Sequence, residues 1–158
     1  MNEPIDRKSI MDALFALVQT MVVPGLSIYF GRRMLVSDNL ELPAVIVRSF
    51  TEDTKRLALG APRFTVMSAN VFIYTRDSED AAVDPEKQLF QLLQALEQAL
   101  CTNVSVDGQG PAEPFETQTL GGLVRDTWIA GRATMNHAAA QGVSITVVAI
   151  DMEPLIGA

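Results

Sequence analysis

Apolar residues recur along this chain in two periods, and the switches between them mark out the elements. Ile10, Ala13, Leu14, Leu17, Val18 and Met21 fall three and four positions apart, which puts them on one face of a helix over residues 5–21. Asp6 and Asp12 lie toward its start, where carboxylates suit the positive end of the peptide dipole, and Pro24-Gly25 ends it. Residues 26–30 read as a short strand and the polar residues 32–41 as a loop. The β-branched run at 43–48 predicts a strand buried on both faces. Residues 49–62 carry Glu52, Asp53, Lys55, Arg56 and Gly60 and suit either a long loop or a projecting hairpin arm.

The longest strand is predicted over 63–75. Thr65, Met67, Ala69, Val71 and Ile73 alternate onto its core face, against a mixed face of Phe64, Val66, Ser68, Asn70, Phe72 and Tyr74. A second helix opens at Asp84-Pro85-Glu86, a capping residue followed by a proline and an acid in the first turn. Leu89, Leu92, Leu93, Leu96 and Leu100 give it a leucine stripe of the kind that packs on a sheet. Residues 102–122 are glycine- and proline-rich and form a second long loop. Two strands, 123–134 and 143–152, close the chain as an antiparallel hairpin about a turn at 136–142. In the first, Val124, Trp128 and Ala130 are expected on one side and Leu123, Thr127, Ile129 and Ala133 on the other. The order helix, three strands, helix, two strands predicts an α+β fold, a mainly antiparallel sheet with two helices packed on one face. The other face is then left to solvent or to a partner, and apolar residues on both sides of the last two strands favour a partner.

The 158 residues suit one domain, 1–158, with a single sizeable core. A hydrophobic share of 48% beside a charged share of 20% points to additional buried surface, within the core or between subunits. The net charge of −7 argues against wrapping a nucleic acid, and an acidic wall suits the passage of DNA better than its binding. The one cysteine makes no internal disulfide, which suits a reducing compartment. With no secretory leader pattern at the start and no apolar run near the ~18–20 residues of a spanning helix, a soluble protein made in the cytosol and away from membranes is expected.

Reactive groups are scarce. His137 lies in a predicted turn, without the nucleophile and orienting partner that a general base needs. Cys101 ends the leucine-rich helix and reads as a small hydrophobe. Glu52-Asp53, Asp77, Glu79-Asp80, Asp84 and Glu86 lack the regular spacing of a calcium loop, so a solvated acidic turn before the helix is the stronger reading. Gly121-Gly122 reads as a turn leading into a strand. Trp128, flanked by Arg125 and Arg132, suits a core or a subunit boundary better than a stacking platform. No catalytic residue, cofactor or metal is expected.

The full length resembles the tail terminator, or minor tail protein U-like, proteins of long-tailed bacteriophages. The resemblance lies in the N-terminal amphipathic helix and its short strand, then Leu42-Pro43-Ala44-Val45-Ile46-Val47. A charged excursion over 51–60, a long strand ending in Val71-Phe72-Ile73-Tyr74, the second helix and the closing strand pair complete it. It implies a ring, usually a hexamer, of copies of this chain on the head-proximal end of the tail tube. One ring face would meet the tail tube protein and stop polymerisation, the other would meet a head-completion protein, and DNA would pass through without specific binding. The location implied is the virion tail, after synthesis in the bacterial host cytoplasm. Glu52, Asp53, Lys55 and Arg56, with Arg125, Trp128 and Arg132, are the expected interface residues. A head–tail connector or neck protein is the neighbouring reading. A small-molecule binding domain, with a pocket between helices and sheet, is the alternative of another class, and a carboxylate–metal hydrolase comes last.

Overall fold

A computed structural model of the chain describes residues 4–31, 43–56, 58–60, 63–76, 85–101, 118–136 and 143–155. Its elements are α1 (Arg7–Val18), β1 (Ser27–Phe30), β2 (Ala44–Arg56), β3 (Arg63–Arg76), α2 (Pro85–Cys101), β4 (Val124–Asn136) and β5 (Val143–Pro154). The strands form one sheet in the order β1-β2-β3-β5-β4. Every neighbouring pair is antiparallel except β1 with β2, which run parallel. The fold is α+β, as the element order predicted.

The core forms where both helices meet one face of the sheet. Ile10, Leu14 and Val18 of α1 and Leu92, Leu96 and Leu100 of α2 join Val45, Val47, Met67, Val71, Val148 and Ile150 in one buried cluster. The predicted core face of β3 is the observed one, since Thr65, Met67, Ala69, Val71 and Ile73 are all buried. Phe15 of α1 also meets Phe30 of β1, ring centroids 4.8 Å apart. On the opposite face a smaller cluster gathers at one end, where Ala44, Ile46, Tyr74 and Ile145 are buried and Tyr29, Phe72 and Val147 half-buried. That apolar end is therefore closed off within the chain, and less open apolar sheet is left than the strand patterns suggested.

Local chemistry trims α1 relative to the periodic pattern. The Asp6 carboxylate accepts the backbone N–H of Ser9 at 3.0 Å and the Ser9 hydroxyl at 2.6 Å, so the helix begins just after it. At the other end the Thr20 hydroxyl donates to the Leu17 carbonyl at 2.6 Å, tightening the last turn before Pro24 is reached. The last turn of α2 is held by a residue far along the chain. The buried Gln118 amide donates to the Leu100 carbonyl at 2.9 Å, while its carbonyl accepts the backbone N–H of Leu120 at 3.2 Å. Leu120, Gly121 and Gly122 all have positive φ, and the Thr119 carbonyl accepts from Gly122 and Val124 N–H groups. Gly121-Gly122 thus forms the turn into a strand that its sequence indicated.

Two irregularities correct the simple alternation read from sequence. A bulge between Arg48 and Phe50 inverts the facing of β2 beyond it. In β4, shifts between Val124 and Asp126 and between Ile129 and Gly131 put Val124 with Thr127 and Ile129 on the helix side, not with Trp128. The His137 turn, Asp84 and the acidic residues 77–80 lie outside the described residues.

Replacing Gln118 by Met keeps the volume but orphans a buried carbonyl and a buried N–H. Urea unfolding should show a loss of about 1–3 kcal/mol with an unchanged m value.

Candidate interaction surface

The described residues of 49–62 form the arm rather than the loop. β2 and β3 stay paired out to Arg56 opposite Arg63, whereas β3 begins to pair with β5 only at Met67 opposite Met152. The last four residues of that ladder, 53–56 with 63–66, pair only with each other among the described strands; β5 and β4 run on to Pro154, level with Thr65, so the last two residue pairs reach about 7 Å beyond the sheet. Thr51 and Thr54 supply β-branched residues, and the Thr54 and Thr65 hydroxyls are hydrogen-bonded at 3.1 Å across the ladder. Residues 51–56 are all exposed, and Leu59 at the tip is fully so, at 102% relative accessibility.

The four arm residues do not share one environment. Beyond the bulge, Glu52 lies opposite Met67, on the helix side of the sheet. There its two carboxylate oxygens accept from the Arg7 guanidinium at the start of α1. That hydrogen-bonded pairing holds the Glu52 carboxyl below its ordinary range and raises Arg7. Lys55 pairs with Asp53 at 3.1 Å on the opposite side, both two-thirds exposed, and such a pair is weak in water. Arg56 is exposed near the tip.

Arg125, Trp128 and Arg132 lie on β4, at the far edge of the sheet, and all three are exposed. The bulge after Ile129 separates them. Trp128 stands opposite Asp151 on the face away from the helices, where the Ser68 hydroxyl donates to Asp151. Arg125 Nη1 lies 3.9 Å from Glu153 Oε1. Arg132 stands opposite Val148 and faces α2. Between α2 and β4 runs a groove of about 380 Å³, with Phe90, Leu93, Ile129 and Val148 as its apolar surface and Glu97 and Arg132 beside them. A second groove, of about 350 Å³, runs between the end of α1 and α2 and includes Met21, Val22 and Ala99.

Sequence reasoning thus gathered seven exposed residues that the fold divides into an arm and an opposite edge. It missed Leu59, Phe90 and Glu97. Leu59 sits in the uncharged run 57–62 between two charged strands, a signal open to reading. Phe90 and Glu97 lie off the leucine stripe of α2 and need the position of β4 to acquire meaning. Among the described residues no three His, Cys, Asp or Glu side chains gather as a metal site, and no helix is long and apolar enough to cross a membrane. Comparison with known protein families finds no matching family model, and comparison with curated proteins finds no significant match.

Two expectations follow. Because the folded-state pKa of Glu52 is lowered, its link to Arg7 is complete above the ordinary glutamate range and is lost as pH falls through the lowered value. The protection factors of the amides at residues 51–56, corrected for the intrinsic pH dependence of exchange, should fall over that acid window, and Glu52→Gln should remove most of that fall. Trp128 is the sole tryptophan. In the isolated chain iodide should quench it readily, and assembly through the β4 edge should shield it and shift its emission to the blue.

Proposed function

We propose that this chain is a structural assembly protein that closes into a ring at the head-proximal end of a phage tail tube. There it stops tube polymerisation and offers the surface to which the head joins. The observation that carries the reading is the presence of unlike flanks on one subunit, with a charged arm beyond β2 and β3 on one side and the open β4 edge on the other. Contacts between unlike surfaces repeat around an axis, and they close into a ring when the rotation allows it. The order of elements supports the terminator station within that class, through its resemblance to tail terminator proteins. The net charge of −7 suits a bore through which DNA slides.

In this reading Asp53, Lys55 and Arg56 contact a neighbouring subunit or a tail partner, and Glu52 holds the arm's base to α1. Purified protein added to growing tail tubes should cap one end with a ring visible in electron micrographs. Particles lacking it should carry overlong tubes without heads. Alanine at Glu52, Asp53, Lys55 and Arg56 together should reduce head joining at least tenfold while far-UV circular dichroism stays unchanged. Normal tube length and joining without the protein would overturn the proposal.

A further inference from the structure

We infer that the ring contact is a knob in a groove: the arm tip around Leu59 of one copy seats between α2 and β4 of the next. This rests on the ring reading and names the surfaces that make it.

Leu59 contributes no burial to its own subunit, and it stands at the end of a ladder that no other described strand pairs with. An exposed leucine is ordinary by itself. Its setting is not, because it stands with the exposed Ala58 and Gly60 past the strand residues Glu52, Asp53, Lys55 and Arg56 of β2. The groove is its complement. Phe90 is left 53% exposed beside Leu93, Ile129 and Val148, and Glu97 and Arg132 bring one charge of each sign. Gln94, Glu97 and Arg132 line it beside these apolar side chains, so the occupant we infer is a peptide tip that presents a leucine with charged residues behind it.

Within one subunit the arm does not reach the groove. The arm continues β2 and β3, while the groove borders β4, three strand spacings from β2, or about 14 Å. The arm is held in the strand direction by its ladder and, at its base, by Glu52 with Arg7. In the contact we infer, a second copy of this chain supplies the tip that its own arm cannot bring there. Charge matches in that pairing where Arg56 beneath the tip meets Glu97. The groove beside Val22 includes no charged residue to match the arm, which favours the α2–β4 site.

Cross-linking decides the matter. In a Cys101→Ser background, Leu59→Cys and Gln94→Cys subunits are mixed, alone and on tail tubes, and oxidised. A disulfide-linked pair should form only in the mixture, and the doubly substituted chain should give a ladder ending at the ring size. Leu59→Asp should weaken assembly at least about tenfold, the effect of losing one buried leucine, without altering the monomer's fold. Glu97→Arg should do the same and be rescued by Arg56→Glu. Rings that form without the 59–94 link, or that link position 59 to Ala95→Cys instead, would overturn the knob-in-groove contact and leave the ring standing. A chain that stays monomeric both alone and with tubes would overturn both.

Discussion

The structure depends on two helices burying one face of a twisted sheet. The apolar stripes of α1 and α2 lie on Val45, Val47, Met67, Val71, Val148 and Ile150, and these side chains must all point the same way from three adjacent strands. Strand side chains alternate with a period of two, so a slip of one residue would send each of them to the opposite face. Register is therefore strongly constrained where the helices sit, and more weakly beyond them. Two long strands carry irregularities, β2 with one bulge just past its pairing with β1 and the edge strand β4 with two register shifts.

Those irregularities shape the outside of the molecule. The bulge between Arg48 and Phe50 puts Glu52 on the helix side, within reach of Arg7, and so ties the root of the arm to the start of α1. The shifts in β4 place Trp128 and Arg132 on opposite faces of one edge strand. Bulges and charges are also common means by which an edge strand avoids indiscriminate pairing. The molecule thus carries an arm at one end of the sheet and a groove beside β4, and among the described residues its second sheet face buries an apolar cluster at the end centred on Ala44, Ile46, Tyr74 and Ile145.

Much of this was legible in the pattern of residues. The leucine stripe of α2 and the alternation through Thr65–Ile73 were visible because each follows from spacing within one element, whereas Asp6, read only for its charge near the helix start, proves to be the N-cap. The extension of β2 to Arg56 was not. Its residues are charged and exposed, and only pairing with β3 makes them a strand. The facing of Val124 was misread because a shift two residues later resets the alternation. The role of Gln118 was hidden because it bonds to Leu100 across a long stretch of chain.

By itself the sequence determined the kinds of element, their order and the buried faces of the two helices and β3, since hydrophobic periodicity is a local property of the chain. It also restricted the chemistry, with one histidine and one cysteine among 158 residues. Tertiary structure decided which strands are neighbours, where the ladder outruns the sheet and which exposed residues share a flank. These depend on register and bulges, which are settled by contacts between residues far apart in the chain.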